Sequence, residues 1–306
     1  MIDQYQFYTA DVFTDQIFGG NPLAVFPTAT ELTSQQMQKI AAEFNYSETV
    51  FVLPPETPKG TRKLRIFTPA TELPFAGHPT VGTAYILVAI GEITGKTEDF
   101  TIIFEEGVGL VPVTIKTDNK FPTYAELTAA QLPEFQSKTP SISDLASILG
   151  LDPQDLKNDH YSPQAVSCGV PFLFVQANNR EILGKIQFNR DRWQGILANT
   201  WAPSIYVFCF DPERKESHLR SRMFAPSMGI LEDPATGAAA TALGAYLGIR
   251  DTLTDGTLHW RVEQGFEMGR PSILEVFTEK KQDKISKIRV GGASVLVSKG
   301  MMNIPS

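Results

Sequence analysis

His78-Pro79-Thr80-Val81-Gly82-Thr83-Ala84 and Asp233-Pro234-Ala235-Thr236-Gly237-Ala238-Ala239 share one pattern: a polar residue, a proline, then small residues. Each opens an apolar run, ending near Ile90 in one case and Gly248 in the other. Runs that are apolar on nearly every face predict helices buried on all sides, here over 79–91 and 234–248. Three further segments recur in the same order. Gly20-Asn-Pro-Leu-Ala-Val-Phe26 matches Gly169-Val-Pro-Phe-Leu-Phe-Val175 at an offset of 149 residues. Ser47-Glu-Thr-Val-Phe-Val52 matches Ser204-Ile-Tyr-Val-Phe-Cys209, and Arg65-Ile-Phe-Thr-Pro69 matches Arg222-Met-Phe-Ala-Pro226, both at 157; the helix starts themselves lie 155 apart. Four matches in order, at a near-constant offset, point to two related halves. They predict that 20–90 superposes on 169–247 by a rotation near two-fold.

Around these landmarks the chain reads as short strands rich in Val, Ile, Phe and Tyr at 5–13, 22–27, 48–53, 62–68 and 101–117. The second half repeats them near 165–176, 204–210 and 218–224, with further strands at 257–264, 272–278 and 286–297. An amphipathic helix at 34–44 opens at Thr33 or Ser34. The stretch Leu127–Pro140, with Pro133 and Pro140, reads as the linker. The predicted class is α+β: two pseudo-symmetric barrel-like domains, each a mostly antiparallel sheet wrapped around a central helix. The expected domains are 1–130, joined by a C-terminal strand at 296–306, and 131–295.

A net charge of −7 over 306 residues argues against a nucleic-acid partner. The longest apolar-rich stretch, 81–90, is too short to span a bilayer, and the N-terminus lacks the pattern of a signal peptide. Cys168 and Cys209 form no CxxC, and none of the four histidines pairs at i, i+4, so no structural metal is expected. A reducing cytoplasm is the simplest setting.

Three positions carry candidate chemistry. Proline suits a first helical position, which makes Asp233 a candidate cap, and leaves the amides of 80–82 and 235–237 without intrahelical partners. Such helix starts favour a carboxylate, so Thr80, Val81, Gly82, Ala235, Thr236 and Gly237 are candidate substrate-binding residues. Two starts facing one another across the junction would form a small-anion site. The same place in each repeat holds His78 in one half and Asp233 in the other, an asymmetry suited to unlike roles in proton chemistry. Glu48, set against Ile205, opens the apolar strand Val50-Phe51-Val52, where desolvation would raise its pKa.

Phe18-Gly-Gly-Asn-Pro-Leu-Ala-Val25, Asn45-Tyr-Ser-Glu-Thr49, Pro74-Phe-Ala-Gly-His-Pro-Thr80, Glu232-Asp-Pro-Ala-Thr-Gly237 and Gln264-Gly-Phe-Glu-Met-Gly-Arg-Pro-Ser272 together resemble the PhzF-like (phenazine-biosynthesis isomerase-like) family, within the diaminopimelate epimerase-like fold. The resemblance implies two eight-stranded domains, each around a helix, in a homodimer. It implies Glu48 as the acid/base residue, His78 and Asp233 lining the site, and the Gly77 and Gly237 regions, with Asn21, binding substrate. Diaminopimelate epimerases place a cysteine at each helix start. Here Gly77-His78 and Asp233 stand there, so a single carboxylate moving a proton fits better than two thiols. The expectation is a cofactor-free isomerase of a small carboxylate, with no metal and no nucleic-acid or membrane partner. The alternatives are an amino-acid racemase or epimerase using bases such as Glu48 and Asp233, or a non-catalytic anion-binding protein.

Overall fold

The computed structural model describes residues 2–157 and 159–305. The chain forms two compact units, Met1–Ala130 with Gly291–Ser306, and Gln131–Val290. The first contains β1 (Ile2–Val12), β2 (Asn21–Phe26), α1 (Ser34–Phe44), β3 (Glu48–Leu53), β4 (Arg62–Phe67), β5 (Glu72–Leu73), α2 (Gly77–Ala89), β6 (Asp99–Glu106), β7 (Gly109–Asp118) and β8 (Phe121–Thr128). The second contains β9 (Glu134–Gln136), α3 (Ile142–Leu149), β10 (Gln164–Ser167), β11 (Pro171–Gln176), α4 (Arg180–Lys185), α5 (Arg190–Ile196), β12 (Ser204–Cys209), β13 (Leu219–Ala225), β14 (Ile230–Asp233), α6 (Gly237–Gly248), β15 (Gly256–Gln264) and β16 (Ser272–Lys281). β17 (Lys284–Gly292) leads back to the first unit, where β18 (Ser294–Pro305) pairs antiparallel with β1.

One order of pairing serves both units. In the first, β1–β2 is antiparallel, β2–β3 parallel, β3–β4 and β4–β5 antiparallel, β4–β6 parallel and β6–β7 antiparallel. In the second, β10–β11 is antiparallel, β11–β12 parallel, β12–β13 and β13–β14 antiparallel, β13–β15 parallel and β15–β16 antiparallel. Each sheet curls around its own helix. α2 packs against β1, β2, β3, β7, β8 and β18, and α6 against β10, β11, β15 and β16. The helices have no polar face to offer water. Every residue from Gly77 to Val88 is buried, and so is α6 apart from Ala238. Each buried Val, Leu or Ile contributes about 1.5–3 kcal/mol relative to exposure.

Outside the first sheet, α1 lays Met37, Ile40 and Ala41 over Phe26, Phe51 and Phe67. A capping box between Thr33 and Gln36 starts this helix, which settles its N-cap as Thr33, and Asn45 at φ 53° ends it. In the second unit α3, α4 and α5 cover a separate cluster around Leu173, Val207 and Trp193. These three helices have no counterpart in the elements expected from the sequence. Their starts are nonetheless marked by side-chain caps at Ser141, Asn179 and Asn189. The expected strand at 165–176 is two strands turning at Gly169, which has φ 123°. The expected linker contains β9, which pairs with β10.

Strand register corrects two equivalences read from the sequence. Thr49 faces Phe67 as Ile205 faces Phe224, so the counterpart of Glu48 is Ser204, not Ile205. Leu73 faces Ile66 as Asp233 faces Met223, and Gly77 and Gly237 are both first helical residues. The counterpart of Asp233 is therefore Leu73, and that of His78 is Ala238. The Pro-containing strings align only when shifted by a few residues, because α6 starts after Pro234 whereas α2 includes Pro79.

Register also exposes a pair of anchors. Lys63 faces Glu105 and Arg220 faces Glu263. The Glu105 carboxylate accepts from the Glu56 and Thr57 amides at 2.6 and 2.8 Å, and Glu263 accepts from the Glu213 and Arg214 amides at 2.8 and 2.7 Å. The residues that follow, Glu106-Gly107 and Gln264-Gly265, lie beneath the segments leading into the helices. A Cβ on Gly107 would sit 2.7 Å from Pro74 Cα, and one on Gly265 would sit 2.4 Å from the Pro234 carbonyl oxygen. Gly265 is also left-handed, at φ 78°. Gly265→Ala is expected to cost at least about 2–3 kcal/mol, from backbone strain plus forced displacement. Gly269→Ala, at φ 69° with nothing nearby, is the control for strain alone. Urea denaturation of the two variants checks the difference.

Candidate active site

In the first unit, three elements begin at one place. Asn21 opens β2, Glu48 opens β3, and His78 is the second residue of α2. The parallel pairing of β2 with β3, in which Leu23 faces Glu48, brings the two strand starts side by side. Asn21 Nδ2 lies 3.2 Å and Glu48 Oε2 3.4 Å from His78 Nδ1. All three residues are buried: Asn21 is 0%, His78 2% and Glu48 7% exposed. Burial pushes the His78 imidazole down to about 3, against a smaller upward effect of a hydrogen bond with the Pro22 backbone. The ring is thus neutral at physiological pH and a poor proton acceptor. Among the described residues, its Nε2 has no hydrogen-bond partner.

In the second unit, Asp233 ends β14 and is 4% exposed. Thr236 Oγ1 donates to Asp233 Oδ2 at 2.5 Å. Gln264 ties the segment to the sheet: its Nε2 donates to the Asp233 carbonyl at 2.8 Å and to Thr236 Oγ1 at 2.9 Å, while its Oε1 accepts from the Thr236 amide at 3.2 Å. Tyr206 Oη approaches the same Oε1 at 3.4 Å and pairs with Ser221 Oγ at 2.7 Å. Of the candidate residues, Asn21, Glu48 and His78 thus meet in one cluster, and Asp233 meets Thr236 in another.

The helix starts differ from the sequence expectation. α2 begins at Gly77, with Ala76 as N-cap, and Pro79 is its third residue. The Thr80 amide donates to Ala76 at 3.3 Å, and Val81 and Gly82 lie a turn inside the helix. The amides of the first turn are therefore those of Gly77 and His78, not those of 80–82. α6 begins at Gly237 with Thr236 as N-cap, so Asp233 is not the cap and Pro234 lies outside the helix. Its first intrahelical bond runs from Ala240 to Thr236, leaving the Gly237, Ala238 and Ala239 amides at the start. The Thr236 amide is taken by Gln264, and Ala235 is fully buried.

Glu106 is absent from the sequence reading, and Gln264 enters it only within a family motif, not as a candidate site residue. A signal existed: Glu105-Glu106-Gly107 and Glu263-Gln264-Gly265 are a repeated tripeptide at equivalent strand ends.

Neither cysteine fits a thiol mechanism. Cys168 and Cys209 are buried, and burial pushes their thiols up to about 12 and about 11. Replacing both with alanine is expected to leave turnover within about threefold while lowering stability by about 1 kcal/mol per site. A selective loss of turnover in the folded variant would restore a thiol to the chemistry. Among the described residues, no group of three or more His, Cys, Asp or Glu is placed to hold a metal ion, and no helix is long and apolar enough to cross a membrane.

The whole chain has close parallels. It is 38% identical over 297 residues to an uncharacterized isomerase of Mesorhizobium japonicum, covering 96% of this chain and 97% of the relative. It is 32% identical over 297 residues to the trans-2,3-dihydro-3-hydroxyanthranilate isomerase of Pseudomonas aeruginosa, covering 97% and 98%. The crystal structure of a PhzF-family phenazine biosynthesis protein of Bacillus anthracis matches with a TM-score of 0.89 at 27% identity, over 99% of this chain and 100% of that one. The fold extends to a hydroxyproline epimerase of Agrobacterium vitis, at a TM-score of 0.65 and 11% identity, over 99% and 92%. Residues 10–300 match the PhzC-PhzF family, and the chain belongs to these phenazine biosynthesis-like proteins.

Proposed function

We propose that this chain is a cofactor-independent isomerase that shifts a proton within a small carboxylate-bearing metabolite, with Glu48 as the acid/base group. The observation that carries this reading is the buried contact between Glu48 and His78, in which the imidazole is neutral. A neutral imidazole leaves the carboxylate as the proton-accepting member of the pair. The Glu48 carboxylate removes a proton from carbon, becomes the acid, and returns that proton at another carbon of the same conjugated system. Atoms and electrons balance without any redox partner. His78 presents Nε2 to the substrate, and Asn21 holds the ring through Nδ1. The Gly77 and His78 amides, and those of Gly237 to Ala239, offer positive helix ends suited to a carboxylate. Asp233, fixed by Thr236, is the second candidate for substrate contact.

The same reading includes a homodimer in the cytoplasm, with no nucleic-acid or membrane partner and no cofactor. It also includes an origin of the two units by internal duplication, supported by their common pairing order. Several relatives are named isomerases, one class acting on trans-2,3-dihydro-3-hydroxyanthranilate, which places that compound first in a screen. Small carboxylates with an acidic C–H are incubated with the protein in D₂O, and deuterium uptake is followed by mass spectrometry. Uptake at a defined carbon, with conversion to an isomer, supports the reading. Tight binding without uptake, across a screen that includes the named substrate, would leave an anion-binding protein.

A further inference from the structure

Glu106 ends β6 and is about nine-tenths buried, and among the described residues its Oε2 has no hydrogen-bond partner. Its Oε1 lies 2.7 Å from Thr80 Oγ1, and Thr80 Oγ1 lies 2.7 Å from the Ala76 carbonyl oxygen. A threonine hydroxyl has one proton, and here it has two oxygens at bonding distance. The Ala76 carbonyl can only accept. Both contacts, at 2.7 Å, can be full two-centre hydrogen bonds only if the other oxygen brings its own proton; the alternative is one proton shared weakly between two acceptors.

We propose that Glu106 is a neutral carboxylic acid that donates to Thr80 Oγ1, which in turn donates to Ala76, and that this relay is a positioning device for the first turn of α2, which carries Gly77 and His78. The activity consequence rests on the isomerase reading; the protonation state does not.

A second observation supports it independently. Gln264 is the equivalent of Glu106, one residue beyond the matching anchors Glu263 and Glu105. There the neutral amide donates and accepts at once, to Thr236 and Asp233 around the start of α6. A protonated carboxyl is the nearest chemical match to that amide, with one donor and one acceptor, whereas a carboxylate is acceptor only. A carboxylate here would also leave a buried charged oxygen unpaired.

Surrounding charges give no reason for ionisation. Glu105 turns to the Glu56 and Thr57 amides, Lys63 pairs with Glu56, Arg65 pairs with Glu72, and Arg62 donates to the Thr61 carbonyl. On α2, His78 is neutral and the Tyr85 hydroxyl is pushed up by burial. Lys116 of β7 lies over the Tyr124 ring. Burial pushes the Glu106 carboxyl up to about 8, against a smaller downward effect that a bond donated by Thr80 would exert. A bond donated by the acid acts in the same direction as burial.

The test is carbon NMR of the full chain labelled at glutamate Cδ, with the Glu106 resonance assigned by Glu106→Gln. The expected midpoint is near 8 or above. Thr80→Val is expected to lower it, because the acid loses its acceptor, and Thr80→Ser, which keeps the hydroxyl, is expected to leave it in place. If Thr80 instead donates to a carboxylate, Thr80→Val raises the midpoint. That rise, or titration in the ordinary carboxylate range, overturns the proposal. On a confirmed substrate, the alkaline fall of kcat is expected to follow the same midpoint, to vanish in Glu106→Gln and to persist in Thr80→Ser. An alkaline fall that persists unchanged in Glu106→Gln refutes the positioning role. If no substrate is found, the isomerase reading fails while the titration still decides the state of Glu106.

Discussion

Glu48→Gln is expected to lower turnover, measured as deuterium incorporation into a confirmed substrate, by at least about a hundredfold, the lower end for a lost general acid or base. The amide has nearly the size of the carboxyl and can keep a polar contact with His78 Nδ1, now 3.4 Å away. It cannot carry a proton. Binding of the substrate is expected to persist within about tenfold, since the proposed anion contacts are backbone amides rather than the Glu48 side chain. The neighbouring groups make compensation difficult. Burial holds His78 near 3, so it cannot take over as base at neutral pH. Both thiols are pushed to 11 or above. Stability is expected to hold or rise, because a buried ionisable group is replaced by a neutral one. A variant that exchanges the substrate proton at the wild-type rate would move the base elsewhere, and Asp233 would be tested next.

Most of the architecture was legible because it rests on local chemistry repeated twice. Two apolar helices without a polar face must be enclosed, and the strand-rich segments that flank each supply the sheet that does so. The strand matches at Gly20–Phe26 and Arg65–Pro69 agree with the pairing register: Leu23 faces Glu48 as Phe172 faces Ser204, and Val50 faces Ile66 as Tyr206 faces Met223. Misreadings arose where register depends on the partner strand. One residue of slip in Ser47–Val52 exchanged Ser204 for Ile205 as the counterpart of Glu48. At the helix starts, proline was given its favoured first position in both repeats. The chain instead places Pro79 third in α2 and Pro234 outside α6, where the segments leading into the helices pass closely over Gly107 and Gly265, the glycines that follow β6 and β15.

The candidate site was legible in part for a related reason. Glu48 and His78 each stand at the first or second residue of an element, where polar groups flank apolar runs; Asn21, which opens β2, came only with the family resemblance. Glu106 and Gln264 end strands of ordinary alternation, and only the pairing of β4 with β6 and β13 with β15 carries them beneath the helices. Those contacts are long-range, and nothing in the local pattern distinguishes a buried strand-end carboxyl from a solvated one. The repeated Glu-Glu-Gly and Glu-Gln-Gly strings become informative once the duplicate register is known.

The stability of the folded chain is expected to peak between about pH 4.5 and about pH 6.5 and to fall on both sides, with two groups setting the limbs. His78 is depressed from 6.5 to about 3 by burial. The unfolded chain therefore binds the extra proton first, so stability present above pH 6.5 from this group is lost as pH falls toward 3. Glu106 is raised from 4.5 to about 8. Here the folded chain holds the proton longer, so its contribution is complete below pH 4.5 and is lost as pH rises through 8. Glu105, held below the ordinary carboxylate range first by Thr57 and then by the Glu56 amide, acts on the acid side in the same sense as His78. For each of the two buried groups the full swing is on the order of 4–5 kcal/mol, large against a total of about 5–15 kcal/mol. Urea denaturation followed from about pH 3 to about pH 9 tests this. Glu106→Gln is expected to flatten the alkaline limb and leave the acid limb intact, while His78→Gln does the reverse. Parallel alkaline losses in the wild type and Glu106→Gln would show that the proton on Glu106 does not govern that limb.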